Sequence, residues 1–346
     1  MQNINININY QDHKFILVGL ENCGVTKLLL SKGEFYELGL LEALKKHIVP
    51  NSYIVDIGAN IGNHTLFFNK VMRANVLAIE PNPKTYLVLK KNLELNNLTK
   101  MTTALNVAIS NKKGVETLSP NATADPGSFS ILGKQTKDSF QCKSLTLDGD
   151  YKTYFKSHPP SLIKIDVEGS EAMILSAATK TLETYKPILA IESMTEIEFN
   201  AVAEIISPLG YYPVGIYNAT PTVIWECRPG GRPTNALLDI FRYAIGKADA
   251  LNKSSFESKI LLVQNKNYKT KLLDLESRVL ETSPTTETSS KSGKLIQKAK
   301  VLETSPTTET SSKSVKSIQK DKVLGPSSTT ETTVVIKPDK GNGNNI

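Results

Sequence analysis

Two short apolar runs of this chain each end in an acid, and the acids stand 24 residues apart. Tyr53 to Val55 leads into Asp56, and Val76 to Ile79 leads into Glu80. Asp56 opens a glycine-marked loop, D-x-G-x-N-x-G, with Gly58, Asn60 and Gly62 at its fixed positions. Glycine in such a turn lets backbone N–H groups come close to a ligand. The pattern is not the G-x-G-x-x-G of nicotinamide dinucleotide sites, which seats a pyrophosphate on a helix N-terminus. It is not a P-loop either, since no G-K-[ST] follows. A carboxylate beside the loop disfavours a pyrophosphate and favours a cationic ligand, an ammonium or a sulfonium. Glu80 has the place of the acid that accepts ribose hydroxyls after the second strand of a nucleotide-binding sheet. The two acids and the loop together point to S-adenosylmethionine rather than NAD. A competing reading makes Asp56 a turn cap and Glu80 a solvated strand end. Unpaired charge at the ends of buried strands is costly, which weighs against it. His64, on the first turn of the next helix, reads as a surface or capping residue.

The second dense stretch is LIKIDVEGSEAMIL, residues 162–175. Lys164, Asp166 and Glu168 alternate there, and residues two apart on a strand share a face. Ser170 and Glu171 suit helix entry, where serine caps and an acid favours the first turn. A sulfonium presents a methyl group to in-line displacement, which needs a nucleophile held in position and, where that nucleophile is weakly acidic, a base or a metal to act on it. Asp166 is the first candidate for base or substrate orienter, followed by Glu168. Lys164 either stabilises a developing oxyanion or pairs with these acids. The alternative for Asp166 and Glu168 is a structural role, fixing the loop through backbone N–H bonds. Asp and Glu side chains are also suited to Mg²⁺. No HxxxH or Cys/His cluster suggests zinc, and no metal ligand is assigned.

These residues need strand ends to hold them. The runs YIVDI (53–57), NVLAIE (75–80), TALNVAI (103–109), LIKIDV (162–167) and ILAIES (188–193) lack polar/apolar alternation, as strands buried on both faces do. KTYLVLKKNLELNN (84–97) and GSEAMILSAATKTLETY (169–185) read as helices between them. Alternating strand and helix gives an α/β doubly wound sheet, with ligands beyond the carboxyl ends of the strands. YYPVGIY (211–217) and TVIWEC (222–227) are separated by a short turn and read as an antiparallel pair. Before the first core strand, KFILVG and VTKLLL suggest a hairpin, and GEFYELGLLEALKKHI (33–48) a helix. The segment 115–147 is the least regular and reads as a long loop suited to a lid. NALLDIFRYAI (235–245) and KTKLLDLESRVL (269–280) carry helical periodicity.

VDIGANIGNHTLFF, AIEPNP, LNVAIS, SLTLDG and IKIDVEGSEAMIL, in that order, resemble the FkbM family of S-adenosylmethionine-dependent methyltransferases. The likeness spans about Asn51 to Ile191. It implies a Rossmann-like class I methyltransferase fold, a seven-stranded mostly parallel sheet with a C-terminal antiparallel hairpin strand. By the same resemblance Asp56, Gly58, Asn60 and Gly62 line the methionine half of the cofactor, and Glu80 holds the ribose. Asn106 and Val107 lie near the adenine. Asp166 and Glu168 face the transferred methyl, with Glu192 a third acid at the end of the fifth strand. The family's acceptors are hydroxyl oxygens of sugars or secondary metabolites, so a small-molecule or glycan acceptor is expected. Two other classes compete: a methyltransferase acting on nucleic acid or protein, and an inactive scaffold that kept the fold. The first lacks a [DN]-P-P-[FYW] tetrad, which His158-Pro159-Pro160 is not, and a Pro-Cys nucleophile, since Cys142 follows Gln141. The second is disfavoured by the intact loop and KIDVEGSE.

Composition bounds the rest. Net charge is +7, of which residues 285–346 contribute +4, from ten Lys against six Asp and Glu. The remaining +3 is ordinary, so no nucleic-acid face is inferred. Three scattered cysteines suggest a reducing compartment rather than a disulfide framework. The N-terminus lacks a secretory pattern and no apolar run is long enough to span a bilayer, so a cytoplasmic location is expected. VLETSPTTETSSKS begins at Val279 and again at Val301, and a decayed copy begins at Val323, a period of 22 residues. Each unit has too few apolar residues for a core and reads as disordered. The expected organisation is an N-terminal hairpin and helix (1–50), the methyltransferase domain (51–230), a helical extension (231–278) and the repeat tail (279–346).

Overall fold

The computed structural model describes residues 3–120, 128–154, 158–228, 230–253 and 334–335. The chain begins with a hairpin, β1 (Asn3–Tyr10) and β2 (His13–Leu20), then α1 (Gly24–Lys32) and α2 (Leu38–Lys45). There follow β3 (Tyr53–Ile57), α3 (Asn63–Lys70), β4 (Asn75–Ile79), α4 (Pro83–Leu95) and β5 (Thr102–Leu105). Next come β6 (Ala108–Ile109), β7 (Gly114–Pro120), β8 (Phe129–Ser130), β9 (Phe140–Leu145) and α5 (Leu147–Tyr154). β10 (Pro160–Ile165), α6 (Glu171–Ser176), α7 (Thr179–Tyr185), β11 (Ile188–Glu192) and α8 (Glu196–Ile206) lead to β12 (Tyr211–Tyr217) and β13 (Thr222–Cys227). A last helix, α9, covers 235–253, and Val334–Val335 form a two-residue strand, β14.

The main sheet has the order β14-β12-β13-β11-β10-β3-β4-β5. β11, β10, β3, β4 and β5 are parallel, and β13 lies antiparallel between β11 and β12. Without the short β14 addition this is the expected seven-stranded, mostly parallel sheet of the Rossmann-like class I methyltransferase fold. Chain order reverses between β3 and β10, so a ligand crevice opens where their carboxyl ends diverge. Period two along each strand sorts the side chains. Ile54, Val76, Ala78, Leu162 and Ala190 face α3, α4 and the hairpin. Val55, Ile57, Leu77, Ile79, Ile163 and Ile165 face the α6 to α8 side. Both faces are covered, which explains why the strands read as unbroken apolar runs.

Several elements differ from the sequence expectation. VTKLLL belongs to α1, closed by Gly33 at φ 67°, and the hairpin partner of β2 is NINININY. The helix expected over 33–48 spans only Leu38–Lys45. The run 103–109 breaks between β5 and β6, because Asn106 turns its amide onto the carbonyls of Glu80 and Pro81. The helix expected over 169–185 is two helices with a break at Ala177–Ala178. The largest correction concerns 115–147. β7, β8 and β9 pair there, with β6, into a small second sheet rather than an open loop. Residues 121–127 of that segment lie outside the described residues, as do 269–280 and the repeats at 279–333. The 235–245 pattern is helical and packs on α8, with Phe241 stacked near Phe199 at 6.4 Å between ring centroids. Among the described residues no helix is long and apolar enough to cross a membrane.

Candidate functional site

The site grows from the carboxyl ends of β3, β4 and β10. Lys164 on β10 is the cross-strand neighbour of Asp56 on β3. Alanines flank the pair, Ala78 beside Asp56 and Ala190 beside Lys164, which leaves room for two long polar side chains inside the sheet. Asp56 is fully buried. Its Oδ2 accepts from Thr65 Oγ1 at 2.6 Å and its Oδ1 is 3.5 Å from Lys164 Nζ. Lys164, 2% exposed, also reaches Asp166 Oδ2 at 3.1 Å and the Gly58 carbonyl at 3.4 Å. Burial alone would lower the lysine's pKa. The two aspartates override it and raise it, so the ammonium stays charged. Burial would raise Asp166, but Lys164 beside it brings the net shift down.

The glycine loop is shaped by this contact. Gly58 has φ 79°, and a Cβ there would lie 1.8 Å from the Asp166 carbonyl oxygen. Gly62, φ 93°, enters α3 against Leu89. Glu80 binds the loop from the other side, accepting from Asn60 N–H at 2.9 Å and Asn82 N–H at 2.8 Å. Burial pushes its carboxyl up to about 7, with those two N–H groups and Lys164 opposing the rise.

A cleft of about 840 Å³, counted with its open mouth, lies above these strand ends. Gly58, Ala59, Asn60, Glu80 and Pro81 form one wall. Val107, Ile109, Leu118, Phe129 and Ile131 make an apolar flank; Ile109, Leu118 and Phe129 stand on β6, β7 and β8 of the small sheet, and Ile131 follows it in a turn. Tyr36, Asn63, His64, Lys164, Asp166 and Glu168 supply its other polar lining. Asp56, Gly62 and Asn106 are not among the residues that line this cleft. Asp56 holds Lys164, Gly62 starts α3, and Asn106 fixes the 80–81 backbone. Glu192 is buried behind Asp166. Burial and then Asp166 push its carboxyl well above the usual carboxylate range, and its Oε2 has no hydrogen-bond partner among the described residues.

His64 is also corrected: it is 6% exposed, not a surface residue. Its Nε2 lies 3.2 Å from Glu37 Oε2, and its ring stacks near Tyr36 at 6.3 Å. Tyr36 is clamped by Asn63, which accepts from its N–H at 3.1 Å and donates to its carbonyl at 2.9 Å. Sequence reasoning missed Tyr36 and Glu37. They stand in an expected helix, and the one local signal, a turn at Glu37 with φ 60°, is invisible without coordinates.

The donor set fits a nucleoside bearing an amino-acid-like cation. It offers the buried Glu80 carboxyl, apolar side chains and the further acids Asp166 and Glu168 around one cleft. Among the described residues no three metal-ligating side chains converge. Substituting Glu80 by glutamine is expected to weaken S-adenosylhomocysteine binding about tenfold, since one charge-assisted acceptor is lost. Calorimetric titration checks this, and an unchanged affinity would remove Glu80 from the ligand wall.

A family model described as "Methyltransferase FkbM domain" matches residues 56–212. The chain is 30% identical over 196 residues to "Methyltransferase sdnD" of Sordaria araneosa, covering 48% of this chain and 71% of the relative. It is 27% identical over 172 residues to "Hexuronic acid methyltransferase AglP" of Haloferax volcanii, covering 49% and 68%. Among solved structures, it is similar to "Methyltransferase FkbM" from Methylobacillus flagellatus, at 20% identity and TM-score 0.38. That likeness covers 51% of this chain and 43% of that one, less than half its length.

Proposed function

The chain belongs to the FkbM family of methyltransferases, and on that premise we propose that it methylates a hydroxyl oxygen of a sugar, a glycan or a secondary metabolite. Membership supports S-adenosylmethionine as methyl donor at the level of the family. The donor supplies a methyl group on a sulfonium, ready for displacement. The observation that carries the reading is one cleft lined both by Glu80 and the glycine loop and by Asp166, His64 and Tyr36.

In this reading Gly58, Asn60 and Glu80 hold the donor, with Val107 on the apolar flank. Asp56, Gly62 and Asn106 fix the backbone around them. Asp166 faces the acceptor as an ionised carboxylate and orients its hydroxyl by accepting a hydrogen bond. Being ion-paired to Lys164, it is a weaker base than a free carboxylate. Lys164 serves to keep Asp166 charged and in place. Glu192 feeds a hydrogen bond to Asp166 from behind, and Glu168 sits at the acceptor rim. The proposed acceptor is small or a glycan, not a nucleic acid, and the proposed setting is a reducing, cytoplasmic one. No disulfide joins Cys23, Cys142 and Cys227. The proposed catalytic domain is 51–230.

Asp166→Asn is expected to leave S-adenosylhomocysteine affinity within about threefold and to lower methyl transfer about 100-fold, the scale of a lost acid–base or orienting group. Transfer from S-[methyl-³H]adenosylmethionine to a panel of neutral glycosides, amino sugars and uronides reads both the acceptor class and this loss. Full transfer by Asp166→Asn would refute the orienting role. A folded protein that binds no S-adenosylhomocysteine would refute the reading as a whole.

A further inference from the structure

The two edges of the N-terminal hairpin are treated differently. On β2, Val18 donates its N–H to Asn92 Oδ1 at 2.6 Å and accepts from Asn92 Nδ2 at 2.9 Å. Ile16 does the same with Asn96, at 3.2 and 2.7 Å. The backbone groups of Ile16 and Val18 therefore point away from β1. In an antiparallel ladder directly opposed residues turn their groups the same way relative to the pair, both inward or both outward. Asn7 faces Ile16, Asn5 faces Val18 and Asn9 faces Lys14. Asn5, Asn7 and Asn9 thus turn their N–H and C=O groups to the free side of β1. Among the described residues nothing bonds to them there.

This edge carries none of the usual safeguards against strand addition. Asn3–Tyr10, NINININY, has no charge, no proline and no bulge across eight paired residues. Its alternation is also self-matching. An incoming antiparallel strand must place its own outward-facing residues opposite Asn5, Asn7 and Asn9. In a second copy those are again the asparagines. Every allowed two-fold register then sets Asn against Asn on the exposed face and Ile against Ile or Tyr10 on the core face. A one-residue slip would put Asn against Ile and misalign the hydrogen bonds. Such an isologous contact closes on itself.

We propose that β1 is a dimerisation edge whose occupant is β1 of a second copy of this chain, running antiparallel across a two-fold axis to give a continuous four-stranded sheet. The test is sedimentation velocity on the full chain between about 1 and about 100 µM, the range that brackets a micromolar dimer. A doubled mass is expected for the wild-type chain. Asn7→Pro, which removes an outward N–H at an edge that tolerates proline, and Asn7→Lys, which opposes like charges, should each be monomeric. Both should keep the wild-type circular dichroism and S-adenosylhomocysteine affinity. A wild-type monomer at the top of the range overturns the proposal, as does a dimer that survives in either folded variant. Amide exchange distinguishes occupants. Protection of Asn5, Asn7 and Asn9 should rise with protein concentration. Protection that ignores concentration would assign the edge to another segment of the same chain, and would also overturn the proposal.

Discussion

Gly58→Ala is expected to abolish measurable S-adenosylhomocysteine binding and to destabilise the fold by more than about 3 kcal/mol, among the larger single-residue effects. Two causes add. At φ 79° a side chain is strained whatever the space around it. The new Cβ would also lie 1.8 Å from the carbonyl oxygen of Asp166, which is rigid backbone. That carbonyl cannot retreat freely, since Asp166 N–H is bound to the Ile57 carbonyl at 3.1 Å. The loop must move instead, and with it the Gly58 and Ala59 N–H groups that both bond Ile79 O at 3.0 Å. The same displacement separates Glu80 from Asn60. Calorimetry and urea unfolding on the purified variant check the two effects. An affinity within threefold of wild type would show that the loop is not what shapes the donor site.

Lys164→Met should cost about 3–5 kcal/mol, the usual penalty for leaving one half of a buried ion pair. Asp56 would keep only Thr65, and it has no access to water. The double variant Lys164→Met, Asp56→Asn should recover much of the loss, because it removes the stranded charge as well. Failure of the double variant to recover would mean that Lys164 acts through packing rather than charge. The pH dependence separates the groups. The raised pKa of Lys164 makes its contribution complete below the ordinary lysine value of about 10.4 and lost above the folded one. The lowered pKa of Asp166 makes its contribution present above about 3.9 and lost as pH falls through the folded value. Between these limits the pair is flat. Glu80 and Glu171, each pushed by burial to about 7, give the slope. Their folded pKa lies above the unfolded one of about 4.3, so the native state holds more protons there and stability falls as pH rises from about 4.3 to 7. Thermal melts should therefore give a higher Tm at pH 5.5 than at pH 8.

The Asp56 result shows where reading a sequence stops. That an acid closes a buried strand before a glycine turn was legible from residue order alone. Which way the acid points was not. It depends on the register of β3 against β10, which sets Lys164, 108 positions later, directly beside Asp56. Asn106 and Gly62 teach the same lesson. Their types marked the region, but which groups they bind, the 80–81 carbonyls for Asn106 and the entry to α3 for Gly62, needed coordinates.

The sequence by itself determined the alternation of buried strands with helices and the acids at the strand ends. Those features follow from local periodicity, because a strand covered on both faces must be apolar throughout and its polar residues collect at its ends. Only the tertiary structure brought Tyr36 and His64 to the cleft, and paired β6, β7, β8 and β9 into a second sheet that supplies part of its apolar flank. Contacts of that kind join residues with no shared period. Their partners are chosen by how separate elements dock, through clamps such as Asn63 on Tyr36 and Asn92 on Val18, and no local spacing encodes them.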